Sequence, residues 1–388
     1  MMSLQSTALP GSANESHVQT GWLSWLLVSF LIYVLLAAVG AIGSGFKAAA
    51  GSDAKALFAF ASNPGIALIV GVVATALIQS SSTVTSIIVG MVAGGLPISI
   101  AIPMIMGANI GTSLTSTLVS LGHIRNGEEF KRAFSAATVH DCFNILAVAI
   151  LLPLELLFRP LANASEFLAG LLVSDASVSM SGMNFMKVLL SPASDLLKAS
   201  VAWLPGIWSG VALILIGIGL ILMVVTQIGK VLRTLMMGRA MNILHTAVGR
   251  GPVSGMASGT LVTVLVQSSS TTTSLIVPLA GTGVFSLKQV YPFILGSNIG
   301  TTITALLAAT AISGAAATVA LQIALVHLLF NLLAIAVIYV LPFLRQVPVI
   351  MAEAMATQAQ RNKGYVAAYI VGVFFVLPLM IVGISQWL

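Results

Sequence analysis

The sequence predicts an all-α polytopic membrane protein made of two inverted-topology repeats. Each repeat holds a re-entrant helical hairpin and a broken helix, and an extra helix follows at the C-terminus. Three observations predict this. Hydrophobic residues make up 58% of the 388 residues and charged residues only 7%, against about 25% charged in soluble domains. Apolar segments of the roughly 20 residues needed to cross a bilayer follow one another along the chain. Three polar motifs then occur twice, in one order and at nearly one spacing, as duplication requires.

The apolar segments are residues 22–41, 66–92, 98–121, 133–152, 207–227, 253–284, 290–309, 315–341 and 365–387. The first is longer than the roughly 7 to 15 residues of a signal-peptide core, so it reads as a retained transmembrane helix. Segments 66–92 and 253–284 are interrupted at mid-length by Gln79-Ser80-Ser81-Ser82-Thr83 and Gln267-Ser268-Ser269-Ser270-Thr271. Such a polar break is how a hairpin that dips into the membrane and turns back would look. The second repeated motif is Asn109-Ile110-Gly111-Thr112, matched by Asn298-Ile299-Gly300-Thr301. The third is Val139-His140-Asp141-Cys142-Phe143-Asn144, matched by Val326-His327-Leu328-Leu329-Phe330-Asn331.

Basic residues set the orientation. Arg125, Lys131 and Arg132 fall in one loop, Lys230, Arg233, Arg239 and Arg250 in another, and Arg345, Arg361 and Lys363 in a third. Loops rich in Lys and Arg stay cytoplasmic, so the first helix runs outward and its counterpart at 207–227 runs inward. The halves are thus inverted. The expected divisions are a tail at 1–21, repeat 1 at 22–152, an extracytoplasmic linker at 153–205 and repeat 2 at 206–342. A cytoplasmic loop at 343–364 and a C-terminal transmembrane helix at 365–388 complete the chain.

The net charge of +6 is scattered between apolar runs and forms no basic stripe, so nucleic acid is not the expected partner. Cys142 is the only cysteine, which excludes a disulfide within the chain and argues against a transition-metal site. Enzyme motifs are absent as well. Ser80 to Ser82 have no His and acid arranged for nucleophilic attack, and no Gly-rich phosphate loop with Lys occurs. No cofactor is expected, and an ion gradient is the natural energy source.

Neutral Gln, Ser, Thr and Asn oxygens suit a hard cation such as Na⁺. A broken helix adds freed carbonyls at one end and, at the other, unpaired N–H groups that seat an anion. The glycines of the Asn-Ile-Gly-Thr segments permit the close approach and unusual backbone angles of an unwound stretch; helix packing through small residues is the bland alternative. Asp141 is the only acidic residue well inside an apolar segment, and intramembrane carboxylates are functional by default. The competing reading is a carboxylate near a helix start balanced by Lys131 or Arg132. His140 and His327 read as packing residues. No Lys or Arg is expected within the spans to neutralise a bound anion.

These motifs, with Phe130-Lys131-Arg132-Ala133-Phe134-Ser135-Ala136-Ala137-Thr138-Val139-His140-Asp141, resemble the type II sodium-phosphate cotransporters over residues 22–341. The resemblance implies Na⁺-driven uptake of inorganic phosphate by alternating access. From their duplicated place at mid-segment, phosphate is expected on Ser80, Ser81, Ser82, Ser268, Ser269 and Ser270, and with them on Thr112 and Thr301. Sodium is expected at Gln79, Gln267, Asn109, Asn298, Thr83, Thr271 and Asp141. Electrogenic members of that family carry A-x-A-x-x-x-D; here Ser135 replaces the first Ala and Asp141 matches, which favours three Na⁺ per divalent phosphate. His123 and Asn126 stand where animal members have Gln and Asp, so a cation site there is in doubt. The absence of Cys from 153–205, where animal members have a cysteine-bridged loop, suggests a bacterial protein of the cytoplasmic membrane. Family members are often dimeric, so a homodimer is an implied assembly. The alternatives are a sodium-coupled carrier of another anion such as a dicarboxylate, or a passive ion channel.

Overall fold

The computed structural model describes residues 22–50, 63–174, 176–376, 378–380 and 383, and all of its described regular structure is helical. The tail at 1–21 and the end of the expected C-terminal helix lie outside the described residues. Six described helices are long and apolar enough to cross a membrane: Trp22–Ala49, Ile98–His123, Gly127–Phe158, Ile207–Ala247, Leu287–Ala309 and Ala316–Tyr339. The two segments interrupted by Gln-Ser-Ser-Ser are not among them.

Helix α1 (Trp22–Ala50) opens the described chain. Helix α2 (Pro64–Ile78) begins with Pro64 at a position whose N–H has no helical partner anyway, and Asn63 caps it by accepting the Gly65 N–H at 2.8 Å. It stops at Gln79, which is left-handed, and Ser80 is extended and starts α3 (Ser81–Ala93). Next come α4 (Ile98–Gly111), α5 (Leu114–Ser120) and α6 (Gly127–Phe158). Asn126 caps α6, and Glu128 and Glu129 in its first turn complement the positive end of the helix dipole.

The stretch expected as an extracytoplasmic linker is helical, with α7 (Pro160–Ser174) and α8 (Ala176–Val201). Glu155 organises its start, because its carboxylate accepts the N–H groups of Leu161 at 2.7 Å and Ala162 at 3.1 Å. Helix α9 (Ile207–Ala247) is 41 residues long, twice the expected span, and carries Lys230, Arg233 and Arg239 on a continuous helix where loop cations were expected. The second half then repeats the first, with α10 (Pro252–Val266), α11 (Ser269–Gly281), α12 (Leu287–Ala309) and α13 (Ala316–Ala334). The expected loop at 343–364 is mostly α14 (Pro342–Arg361), begun by Pro342, and α15 (Gly364–Val371) follows.

Small residues set the packing. A Cβ on Gly107 of α4 would lie 1.9 Å from the Leu68 carbonyl of α2, and one on Gly296 of α12 would lie 1.9 Å from the Met256 carbonyl of α10. Close backbone approach of this kind is how apolar helices associate without a hydrophobic driving force. The expectation of an unwound Asn-Ile-Gly-Thr stretch is corrected in the second half. Helix α12 runs unbroken through its copy, and the first copy ends at the short irregularity of Thr112 and Ser113 between α4 and α5. The glycines there serve packing.

The halves cross over one another. Helix α3 packs on α12 and α13 of the second half, and α11 packs on α5 and α6 of the first. The exchange brings the two Gln-Ser-Ser-Ser turns together.

Candidate functional site

The turn between α2 and α3 is made again between α10 and α11. Gln79 has φ 56° and ψ 29°, and Gln267 has φ 55° and ψ 29°. Ser80 and Ser268 follow in extended conformation and cap the next helix, each accepting the N–H three residues on, from Thr83 and Thr271, at 3.2 Å. A left-handed residue other than Gly is strained by about 1–3 kcal/mol and persists only where its surroundings fix it. Two identical strained turns at a duplicated motif mark a site; Arg159, the other non-Gly residue with positive φ among the described residues, only ends α6.

The two turns touch. Ser270 Oγ donates to the Gln79 carbonyl oxygen at 3.4 Å. Ser81, Ser82, Ser269 and Ser270 are buried, while Ser80 and Ser268 are half-buried. Helices α3 and α11 therefore open side by side, and the first N–H groups of each point out of its end without intrahelical partners. Such an arrangement suits an anion.

Neutral oxygens surround it. Gln267 Oε1 accepts from Thr304 Oγ1 at 3.2 Å, and Gln267 Nε2 donates to the Val264 carbonyl at 2.7 Å. Thr83 Oγ1 donates to Ser80 Oγ at 2.8 Å. A cavity of about 250 Å³ lies against both turns, lined by Gln79, Ser80 and Thr83 on one side and Gln267, Ser268 and Thr271 on the other. Its third wall is α9, and there the expectation of no nearby cation fails: Lys230 and Arg233 line the same cavity. The helix outruns the apolar segment by which its length was judged.

A second polar cluster is buried beside α12. His140 Nε2 bonds to Asn298 Oδ1 at 2.6 Å, Asn298 Nδ2 donates to Asn144 Oδ1 at 3.0 Å, and Asn144 Nδ2 donates to the Asn109 carbonyl at 2.8 Å. With Asn298 accepting, His140 carries its proton on Nε2. Asn109 Nδ2 donates to the Ile105 carbonyl of its own helix at 3.1 Å. Thr112 and Thr301 likewise donate back to the carbonyls of Ala108 and Ser297, each at 3.0 Å. The corresponding cluster in the other half is unmade, since both ring nitrogens of His327 and the Asn331 side-chain oxygen are buried without partners among the described residues.

Asp141 is fully buried, and Tyr369 of α15 donates to its Oδ2 at 2.7 Å. The Thr117 hydroxyl lies beside it and donates to the Ser113 carbonyl at 3.2 Å, and Asp141 Oδ1 has no hydrogen-bond partner among the described residues. Balance by Arg132 is not what the structure shows, because Arg132 Nε donates to the Gly281 carbonyl at 2.8 Å. Among the described residues no group of three His, Cys, Asp or Glu is placed to hold a metal. His123 and Asn126, at the doubtful cation site, both bond Glu129, at 3.1 and 2.8 Å.

Residues 34–188 and 220–385 match the Na⁺/Pi-cotransporter family. The chain belongs to that family. It is similar to the rat sodium-dependent phosphate transport protein 2A, with 34% identity over 444 positions that cover 97% of this chain and 70% of the relative. The sheep protein 2A is 33% identical, covering 93% and 67%, and the human protein 2B is 31% identical, covering 93% and 65%. No solved structure matches the chain. Both Gln-Ser-Ser-Ser turns, the Asn298 cluster and Asp141 fall inside the matched residues of this Na⁺/Pi-cotransporter family member. Tyr369, Lys230 and Arg233 also fall inside them, and the sequence reading nominated none of the three. Asn144 was legible as one half of a repeated pair with Asn331, yet its repetition alone gave it no role.

Proposed function

We propose that this protein imports inorganic phosphate coupled to Na⁺ influx by alternating access in the cytoplasmic membrane of a bacterium. The observation that carries the proposal is the 3.4 Å contact between Ser270 and Gln79, which brings the two equivalent Gln-Ser-Ser-Ser turns to one place. Phosphate is held by the serines of the two turns and the N–H groups of α3 and α11, where two helix starts favour negative charge. Amide and hydroxyl oxygens from Gln79, Gln267, Asn109, Thr83 and Thr271 take Na⁺. The Asn298 oxygen is engaged by His140, so its contribution requires that this bond open.

The two halves form inverted repeats with re-entrant hairpins, and rocking of one against the other exposes the site to each side in turn. Duplicated turn geometry and the reciprocal packing of α3 and α11 support that arrangement. Asp141 holds a third Na⁺ through its unpaired Oδ1, so that three Na⁺ with one divalent phosphate move one net positive charge. The relatives' names, sodium-dependent phosphate transport proteins, support both the ion and the substrate. Tracer phosphate uptake into proteoliposomes tests the proposal. Uptake should require an inward Na⁺ gradient and resist competition by sulfate and succinate. Succinate uptake would favour the dicarboxylate reading, and gradient-independent, unsaturable flux the channel reading.

A further inference from the structure

The cavity shared by the two turns is closed on its third side by α9, and that side is charged. Leu222, Val225, Thr226, Gly229, Lys230 and Arg233 recur at i, i+3, i+4, i+7, i+8 and i+11, so they lie along one helix face, and all six line the cavity. Lys230 and Arg233 are exposed, and neither forms an ion pair among the described residues. Among the described residues no Asp or Glu lines the cavity. Two uncompensated cations at a cleft with low-dielectric walls focus the field and raise the local concentration of anions.

Their place along α9 explains how they can be charged beside apolar helices. From Ile207 to Lys230 the helix rises about 35 Å, more than the roughly 30 Å of a hydrocarbon core. The cations can therefore stand in headgroup water at the mouth while the cavity reaches inward to Ser80 and Ser268. The turns themselves offer only neutral donors. Neutral donors bind an anion once it arrives, but they do not attract it from a distance.

We propose that Lys230 and Arg233 are the anion-recruiting residues of this transporter, drawing divalent phosphate into the cavity and positioning it for the two serine turns. The inference rests on the phosphate reading above. The chemistry it invokes, paired cations facing phosphate oxygens, would equally suit the headgroup of an anionic lipid, and the test must part the two.

The test is Na⁺-dependent tracer phosphate exchange, which samples the site from both membrane faces, in phosphatidylcholine vesicles at low ionic strength. In the Lys230→Gln, Arg233→Gln double variant the half-saturating phosphate concentration should rise about tenfold while the maximal rate changes little, as loss of steering predicts. Added choline chloride at fixed Na⁺ should shrink that difference, because salt screens exposed charges. The charge-keeping pair Lys230→Arg with Arg233→Lys should exchange like the wild type. An unchanged half-saturation in the double variant overturns the proposal. So does a defect that emerges only when phosphatidylglycerol is present, which would assign the cations to lipid. If the double variant does not insert, the wild type alone decides: its half-saturation must climb with choline chloride, and a flat response overturns the proposal. Absence of any Na⁺-dependent phosphate exchange by the wild type would instead defeat the underlying functional reading.

Discussion

Ser270 Oγ lies 3.4 Å from the carbonyl oxygen of Gln79, joining two copies of one motif across 191 positions of sequence. As a hydrogen bond between neutral groups it is worth only about 0.5–1.5 kcal/mol of stability. Its value in the proposed function is geometric. Ser270→Ala should thus leave the thermal midpoint of the purified protein nearly unchanged while lowering Na⁺-dependent phosphate uptake at least about tenfold, the loss of one positioned donor or more. Normal uptake by a well-inserted Ser270→Ala variant would remove the serine from the phosphate site.

Asn109 and Asn298 are equivalent by repeat and unequal by contact. Asn298→Ala strands His140 Nε2 and the Asn144 oxygen in a buried place, at about 1–3 kcal/mol for each group. Asn109→Ala removes a side chain that bonds only within its own helix. Thermal unfolding in detergent should show a clear loss for Asn298→Ala and a small one for Asn109→Ala. Sodium titration of uptake should show a raised half-saturating Na⁺ concentration for Asn109→Ala, and unaltered Na⁺ dependence there would exclude it as a ligand.

Asp141 is held by Tyr369 from outside the two repeats. Asp141→Gly should still move phosphate yet lose voltage dependence, since one net charge per cycle couples to about 2.3 kcal/mol per 100 mV. Tyr369→Phe keeps the carboxylate and removes its donor, so current per phosphate should stay at the wild-type value while Na⁺ affinity shifts. Paired current and tracer measurements check both variants. An identical charge-to-phosphate ratio in wild type and Asp141→Gly would contradict the role given to this carboxylate.

Gly107 and Gly296, two residues before the Asn-Ile-Gly-Thr motifs, are predicted to matter through close helix packing. An added methyl on Gly107 or Gly296 meets a main-chain carbonyl at 1.9 Å, and backbone cannot step aside as a side chain could. Gly107→Ala and Gly296→Ala should each cost about 1–3 kcal/mol or more, read as reduced yield and lower thermal stability. Gly122→Ala, with nothing within 4 Å of the new atom, is the control and should behave like the wild type.

The sequence by itself determined the helical class, the duplication and the positions of the two polar breaks. Apolar length and repeated polar residues are local properties, and a lipid solvent leaves the backbone of such segments little choice but helix. Gln79 and Gln267 were legible as interruptions for the same reason. Helical linkers were not: 153–205 and 343–364 are too polar to read as spans, and only docking makes them helices, as when Glu155 caps α7 or α14 packs on α6. Tertiary structure alone decided which chemistry shares a space. Ser270 reaches Gln79, Tyr369 reaches Asp141 and Lys230 lines one cavity with both turns because helices distant in sequence pack together. The same packing made the cluster at His140 and left its twin at His327 open, a difference that two near-identical motifs could not announce, since it depends on which neighbours each copy meets.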